Sequence, residues 1–267
     1  MNTSIDSAVS DVARSLREHK PLVQCITNYV SMDIAANLLN AVGASPAMVH
    51  DPREAAEFAG IASAVVANIG TLSPPWVEGM QAAVAVAHEQ RKPWVLDPVA
   101  VGATSYRRDT VAQLLTHAPT VIRGNASEIL SIGASTSAGR GVDSDIASTD
   151  IGQAKALAER TGAVVAVTGR EDLVTDGRRV VVVRGGDDRM PMITALGCSA
   201  SALVAACCAV HPDAVEATAA ALAILSVAGE RAGRLAEGPG SLRWRMLDEL
   251  AALDPGALAG HVDLDLR

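Results

Sequence analysis

Residues 63–70 read Ser63-Ala64-Val65-Val66-Ala67-Asn68-Ile69-Gly70, a run of small and β-branched residues that ends in a polar turn. Such a run predicts a buried strand. Pro74 and Pro75 mark the start of a predicted helix that continues to Gln90, because proline suits the first turn of a helix. Residues 94–99 predict the next strand. A strand, a helix and a second strand in this order form a right-handed βαβ unit with parallel strands.

The same alternation extends through the rest of the chain. Further strands are predicted at 21–26, 46–49, 120–123 and 163–167, with helices at 10–19, 31–41, 52–59, 107–115, 151–160, 198–210, 214–235 and 241–250. Residues 173–183 predict a hairpin around Asp176-Gly177, and residues 135–148 a surface loop. We therefore expect a three-layer α/β fold, with a mostly parallel central sheet covered on both faces and an antiparallel hairpin in the C-terminal half. No linker divides residues 1–267, which predicts one domain.

The composition excludes several classes of function. Apolar residues make up 49% of the 267 residues and aromatic residues 2%, so small aliphatic side chains build a large core. The net charge of −8, without a basic tract, argues against nucleic acid or an anionic membrane as a partner. No apolar run reaches the roughly 20 residues of a membrane span, and the N-terminal residues lack the apolar core of a signal peptide. The cysteines form no CxxC pair, which indicates reduced thiols in a cytoplasmic protein.

Polar residues stand repeatedly where the predicted strands end. They are Asn28, Asn68, Asp97, Arg123, Asn125, Glu128 and Thr168. In parallel sheets covered by helices, ligands bind at the carboxyl ends of the strands. The repetition therefore predicts a binding site at this edge of the sheet.

Two acids at this edge suit a magnesium ion. Asp97 precedes Pro98 at the end of a strand, where it either holds Mg²⁺ through water or initiates a turn. Asn125 and Glu128 stand at a helix start. They either cap the helix, or Glu128 faces the same ion and binds it. Taken together, the two acids favour the metal interpretation.

Arg123 and Thr168 suit a phosphate group. Arg123 closes a strand of apolar and β-branched residues, where an arginine is better explained as a phosphate clamp than as a core residue. Thr168 ends the following strand, and its hydroxyl is able to donate to a nucleotide phosphate. Gly169, the next residue, is explained equally well as an ordinary turn residue.

Residues 194–201 read Thr194-Ala195-Leu196-Gly197-Cys198-Ser199-Ala200-Ser201, a glycine-bearing turn that opens onto a long apolar helix. The first turn of a helix leaves N–H groups unpaired and carries partial positive charge, so it binds anions. Cys198 at this end is expected to have a lowered pKa, unless it is simply a small buried hydrophobic residue. The histidines show no pairing that would make Cys198 a hydrolase nucleophile. A kinase does not need such a histidine partner, because its transition state depends mainly on charge neutralisation and on alignment of the reacting groups.

These motifs resemble those of the hydroxyethylthiazole kinases, a family of the ribokinase-like superfamily. The resemblance rests on residues 21–30, 43–48, 96–104, 123–129, 167–169 and 197–200, which follow the family order and span nearly the whole chain. It implies ATP-dependent, Mg²⁺-dependent phosphorylation of the hydroxyl of 4-methyl-5-(2-hydroxyethyl)thiazole in thiamine biosynthesis or salvage. It also implies a homotrimer whose active sites are shared between subunits.

The resemblance also implies a role for each matching residue. The residues that contact the thiazole are Met48, Asn28 and, in the turn, Ala195. The residues that bind ATP are Arg123 and Thr168. The acids associated with Mg²⁺ are Asp97 and Glu128. Cys198 stands at the position of the catalytic base.

The turn before Cys198 departs from the family pattern. The family has Gly-Thr-Gly-Cys, and this chain has Ala195-Leu196-Gly197-Cys198. An alanine at 195 matters if the turn needs positive φ, which glycine adopts freely, whereas the backbone N–H groups survive both changes. Two alternatives therefore stay open: a kinase of another small heterocyclic alcohol, and a non-catalytic homologue that binds the thiazole or a nucleotide.

Overall fold

The computed structural model describes residues 3–134 and 146–267. Its strands are β1 (Leu22–Ile26), β2 (Ser45–Ala47), β3 (Ala64–Asn68), β4 (Trp94–Asp97), β5 (Val121–Asn125), β6 (Val164–Thr168), β7 (Asp172–Thr175), β8 (Val180–Arg184) and β9 (Asp263–Leu266). Its helices are α1 (Thr3–His19), α2 (Met32–Val42), α3 (Ala55–Ile61), α4 (Pro74–Glu89), α5 (Ser105–Leu115), α6 (Ala126–Ala134), α7 (Ile146–Thr161), α8 (Leu196–Val210), α9 (Ala214–Gly233) and α10 (Pro239–Ala252). Short 3₁₀ helices lie at Met190–Met192 and Pro255–Gly260.

The nine strands of these described residues join one sheet in the order β2-β1-β3-β4-β5-β6-β7-β8-β9. The strands from β2 to β6 are parallel, and β7, β8 and β9 continue the sheet in antiparallel pairs. The predicted βαβ unit is formed, and it pairs Asn68 with Asp97 in register. β2 lies on one side of β1 and β3 on the other, so the direction in which successive strands are added to the sheet reverses at β1. Ligands of such sheets bind at the strand ends beside this reversal.

Alternate residues of the central strands face two separate cores. On β3, Ala64 and Val66 pack with buried residues of α1, α2, α8, α9 and α10, whereas Val65 and Ala67 pack with buried residues of α3 to α7. This period of two follows from strand geometry. Helices therefore cover both faces of the sheet, and the predicted three-layer fold with its mostly parallel sheet is confirmed.

The antiparallel end of the sheet contains one strand that the sequence analysis missed. β7 and β8 form the predicted hairpin, in which Gly177 has a φ of 94°. β9 pairs with β8 through Val182 and Asp265. The alternation of Asp and Leu in residues 263–266 is the period-two signal that would have found it.

Several helix starts also differ from the predictions. α1 begins at Thr3 rather than at Ser10, and α7 begins at Ile146 rather than at Ile151. α8 begins at Leu196, two residues before Cys198. Of the loop predicted at 135–148, residues 135–145 lie outside the described residues. Across the described helices, none is both long enough and apolar enough to cross a membrane.

Candidate active site

Three side chains at neighbouring strand ends form a continuous hydrogen-bonded chain. Asn28 follows β1, Asn68 ends β3 and Asp97 ends β4. Nδ2 of Asn28 donates to Oδ1 of Asn68 at 2.9 Å, and Nδ2 of Asn68 donates to Oδ2 of Asp97 at 2.7 Å. All three residues are buried. The strand order thus brings together three of the polar residues predicted at this edge, and the amide of Asn68 links that of Asn28 to the carboxylate.

Helix α8 contacts this chain with one face. Oγ of Ser201 donates to Oδ2 of Asp97 at 2.8 Å, and Nδ2 of Asn28 also donates to Sγ of Cys198 at 3.2 Å. Residues three apart on a helix share a face, so α8 directs Cys198 and Ser201 toward the same strand ends. Ser201 was not among the predicted site residues, although its spacing of three from Cys198 places it on the same helix face.

The Asp97 carboxyl group is fully buried, and burial raises its pKa from 3.8 to about 6. The charge of Glu128 raises the pKa further, while the Arg123 guanidinium and the hydrogen bonds from Ser201 and Asn68 lower it. Burial outweighs these favourable partners. Asp97 is therefore a carboxylate whose negative charge a nearby cation would stabilise.

Glu128 and Asn125 form the helix cap that is one of the two predicted roles of this pair. Oε2 of Glu128 accepts from the Asn125 N–H at 2.8 Å, and Oδ1 of Asn125 accepts from the Glu128 N–H at 3.0 Å. Oε1 of Glu128 accepts from the N–H of Ala100 at 2.9 Å, in the loop after β4. The cap holds the Glu128 carboxylate beside the loop that follows Asp97.

The donor chemistry of these acids fits a magnesium ion that is bound together with a nucleotide. Within residues 3–134 and 146–267, no cluster of three or more potential ligand side chains holds a metal by itself. Mg²⁺ needs only one or two carboxylates where phosphates and water complete its octahedron. Asp97 and Glu128 supply oxygen ligands, and the raised pKa of Asp97 shows a buried charge without a full counterion.

Arg123 joins the end of β5 to the first turn of α8. Its Nη2 donates to Oγ1 of Thr168, and a Cβ on Gly197 would lie 2.8 Å from its Nη1. Arg123 is only 9% exposed, and its Nε has no hydrogen-bond partner among the described residues. A buried guanidinium beside a helix N-terminus is an arrangement that binds phosphate.

The expected lowering of the Cys198 pKa is wrong. Burial raises the pKa of this thiol, and the negative charge of Asp97 adds to the effect. The amides of Asn68 and Asn28 and the charge of Arg123 lower the pKa by less. Sequence position at a helix start could not reveal the buried carboxylate of a distant strand, and the thiol is protonated at neutral pH.

The turn before Cys198 does require positive φ. Ala195 has a φ of 64° and a ψ of 10°, in the left-handed region, and it precedes the first turn of α8. An L-residue with a Cβ is strained there by roughly 1–2 kcal/mol relative to the right-handed region. The condition under which an alanine at this position matters, a positive φ in the turn, is therefore met.

A cavity of about 670 Å³ opens beside Arg123 and extends along β6, β8, α8 and α9. Arg123, Thr168 and Gly197 line it, together with Asp172 and Arg170, which the sequence analysis did not single out. Burial raises the pKa of Asp172 to about 6, and its Oδ1 accepts from the N–H of Gly169 at 3.0 Å. The sequence signal that would have identified Arg170 and Asp172 is their position directly after the Thr168-Gly169 turn, at the end of β6.

Met48 lies at the same end of the sheet, on the other side of Asn28. It follows β2, which pairs with β1 through Ala47 and Gln24, and it packs half-buried against the core. Tyr29 and Val30, next to Asn28, are 68% and 59% exposed. An apolar exposed surface therefore adjoins the buried polar chain.

The chain is similar to proteins of one family along most of its length. A family model described as the hydroxyethylthiazole kinase family matches residues 13–256. A hydroxyethylthiazole kinase of Rhizobium etli is 57% identical over 254 residues, which cover 94% of this chain and 98% of that protein. One of Rhizobium johnstonii is 58% identical over 247 residues, which cover 92% of each chain.

Solved structures give the same result at the level of fold. The hydroxyethylthiazole kinase protein of Pyrococcus horikoshii superimposes with a TM-score of 0.91 at 34% identity, covering 97% of this chain and 98% of that one. A Staphylococcus aureus pyridoxal kinase superimposes with a TM-score of 0.63 at 18% identity, covering 93% and 98% of the two chains. At that lower identity the likeness concerns the fold alone.

Proposed function

The chain belongs to the hydroxyethylthiazole kinase family, and we propose that it transfers the γ-phosphoryl group of ATP to the hydroxyl of 4-methyl-5-(2-hydroxyethyl)thiazole. The observation that carries this proposal is the position of Arg123. Its guanidinium lies at the first turn of α8, lines the cavity of about 670 Å³ and is close enough to Asp97 and Cys198 to lower the pKa of each. A transferring phosphoryl group requires positive charge on one side and an aligned acceptor on the other.

ATP occupies the cavity beside β6. Its phosphates lie against the first turn of α8, where the N–H groups of Gly197 and Cys198 and the guanidinium of Arg123 neutralise their charge. The hydroxyl of Thr168 holds the guanidinium from the other side and donates to a phosphate when the nucleotide is bound.

Asp97 and Glu128 hold the magnesium ion that accompanies ATP. When bound, Mg²⁺ neutralises charge on the phosphate oxygens. Asp97 contributes a buried carboxylate that Asn68 and Ser201 orient. Glu128 is held by its cap at the edge of the same space.

The alcohol enters between Asn28, Met48 and the turn at Ala195, with its hydroxyl facing Sγ of Cys198. In a largely dissociative transfer the hydroxyl loses its proton late, so a protonated thiol at this position first orients the alcohol. The minor form of the enzyme in which Cys198 has already lost its proton to solvent accepts the hydroxyl proton, and Asn28 stabilises that thiolate through its amide. Ala195 has a positive φ where the family has glycine, and it borders the proposed alcohol pocket. Another small heterocyclic alcohol is therefore the alternative substrate.

The exposed side chains of Tyr29 and Val30 support a homotrimer with active sites shared between subunits. They extend from the loop that carries Asn28, so a second copy packed on them closes the alcohol pocket. We further propose that residues 1–267 act as one kinase domain in the cytoplasm, since the cysteines of the described residues are all free thiols.

The test is ATP consumption by the purified protein with Mg²⁺ and a panel of alcohols that includes hydroxyethylthiazole and hydroxymethylpyrimidine. We expect turnover with the thiazole alcohol and a phosphate ester identified by phosphorus NMR. Preference for another alcohol would replace the substrate in the proposal. Saturable binding without turnover of any alcohol would leave the non-catalytic interpretation standing.

A further inference from the structure

Arg107 lies in the first turn of α5 and binds two loops at once. Its Nη1 donates to the carbonyl oxygen of Ile69 at 2.6 Å and to that of Val99 at 2.8 Å. Its Nη2 donates to the carbonyl oxygen of Gly70 at 2.9 Å. Ile69 and Gly70 follow β3, and Val99 follows β4. One guanidinium thus ties together the two turns that come directly after Asn68 and Asp97.

The turn that Arg107 holds contacts both amides of the buried polar chain. The N–H of Gly70 donates to Oδ1 of Asn68 at 2.9 Å, and the same oxygen accepts from Nδ2 of Asn28. A Cβ on Gly70 would lie 2.6 Å from Nδ2 of Asn28, so the backbone of the turn packs directly on that side chain. The position of this turn therefore determines which end of each amide faces Asp97 and Cys198.

We propose that Arg107 is a positioning residue for phosphoryl transfer: it fixes the turns after β3 and β4 so that Asn68 and Asn28 present their N–H groups to Asp97 and Cys198. The proposal rests on the proposed function, because Arg107 acts only through those two side chains. Arginine suits this task because its planar fork directs several donors at once. A lysine reaches the same carbonyl oxygens as a single point charge and satisfies fewer of them.

The decisive comparison is between Arg107→Met and Arg108→Met. Arg108 is its neighbour on α5, and its Nη1 donates only to the carbonyl oxygen of Gly102, at 3.0 Å, among the described residues. We expect Arg107→Met to lower kcat by roughly 10- to 100-fold, the usual cost of losing a residue that orients a catalytic group. The cavity proposed for ATP stays intact because Arg107 does not line it, so any rise in the KM for MgATP comes only through Asp97 and is smaller than the fall in kcat. Arg107→Lys recovers part of kcat, and Arg108→Met keeps wild-type kinetics.

A readout independent of turnover separates this inference from the proposed function. The side-chain amide resonances of Asn28 and Asn68 in isotope-labelled protein, identified by their loss in Asn28→Ala and Asn68→Ala, report whether these N–H groups stay hydrogen-bonded. We expect both amides to exchange slowly with solvent in the wild type and in Arg108→Met, and faster in Arg107→Met, because the turn after β3 no longer holds them in place. Unchanged exchange in Arg107→Met overturns the inference, whether or not the wild type turns over the thiazole.

The kinetic outcomes are equally definite. If the wild type turns over its alcohol and folded Arg107→Met does so at the same kcat, the inference is wrong while the proposed function stands. Should Arg107→Met fail to fold, Gly70→Ala displaces the amide of Asn28 with the guanidinium intact. We expect the same fall in kcat and the same faster exchange of the Asn28 amide, and their absence overturns the inference.

Discussion

The hydroxyl of Ser201 donates a 2.8 Å hydrogen bond to the carboxylate of Asp97, joining the second turn of α8 to the end of β4. Both side chains are almost completely buried, so the bond is shielded from competing water. It fixes the rotation of α8 about its axis, and with it the direction of Cys198 one turn earlier. The buried carboxylate of Asp97 therefore orients the helix that carries the proposed phosphate site.

The burial of Asp97 makes the stability of the protein depend on pH. Folding raises the pKa of this group from 3.8 to about 6, so the folded chain binds more protons than the unfolded chain between these values. The unfolding free energy contributed by Asp97 is therefore fully present below about pH 4 and is lost as the pH rises through about 6. Asp97→Asn cannot ionise, yet it keeps an oxygen that accepts from Ser201 or Asn68. We expect it to be more stable than the wild type at neutral pH, by on the order of 3 kcal/mol, and inactive.

Urea unfolding of the two proteins at about pH 4 and at neutral pH measures this effect. The stability gain should nearly vanish at the lower pH. Asp51→Asn is the control, since Arg53 lowers the pKa of the exposed Asp51 to about 2 and its loss should bring no gain. A variant at 97 that is less stable at neutral pH would show that ionised Asp97 stabilises the fold.

Cys198→Asp should preserve or raise kcat, whereas Cys198→Ala should lower it. The wild-type thiol has a raised pKa and is seldom ionised at neutral pH, while a carboxylate at the same position accepts the proton more readily. For the same reason, the kcat of the wild type should rise with pH above neutrality, and that of Cys198→Asp should change less. Steady-state kinetics across this pH range tests both statements. If the kcat of Cys198→Asp falls to that of Cys198→Ala, Cys198 does not act as the base.

Ala195→Gly should raise kcat/KM for the thiazole alcohol roughly fivefold, because relief of about 1 kcal/mol of left-handed strain lets the turn adopt its binding geometry. Ala118→Gly is the matched control, since Ala118 also has positive φ, at 47°, and belongs to none of the site segments. Kinetic titration of the alcohol at saturating ATP makes the comparison. Equal kinetics for Ala195→Gly and the wild type would show that the substitution is silent in this chain.

Gly197→Ala should weaken ATP binding, raising its KM by roughly tenfold or more. The added Cβ would lie 2.8 Å from Nη1 of Arg123, so the guanidinium must move away from the proposed phosphate position, at a cost of at least about 1.4 kcal/mol. Gly240→Ala controls for the loss of a glycine, because a Cβ there meets nothing within 4 Å among the described residues. Wild-type ATP affinity in Gly197→Ala would argue that the phosphates lie elsewhere.

The sequence contained enough local information to predict the architecture and the region of the site. The βαβ unit of residues 63–99 and the hairpin at Asp176-Gly177 follow from periodicity and turn chemistry, which short segments express by themselves. β9 and the early starts of α1 and α7 were missed. β9 was missed because its short alternating pattern is completed only by pairing with β8. The strand-end residues Asn28 and Asp97 were found because parallel strands must end at a common edge.

The sequence by itself determined that this chain alternates strands and helices, carries polar residues at the strand ends and opens α8 with a glycine-bearing turn. The tertiary structure alone decided what those residues do to one another. It set the register that lets Asn68 bind Asp97, directed Ser201 to the same carboxylate, and placed Arg107 between two loops. It also reversed the expected pKa shift of Cys198. Burial and charge act through space between residues far apart in the chain, so local patterns reveal which groups are present but not the electrostatic environment of each one.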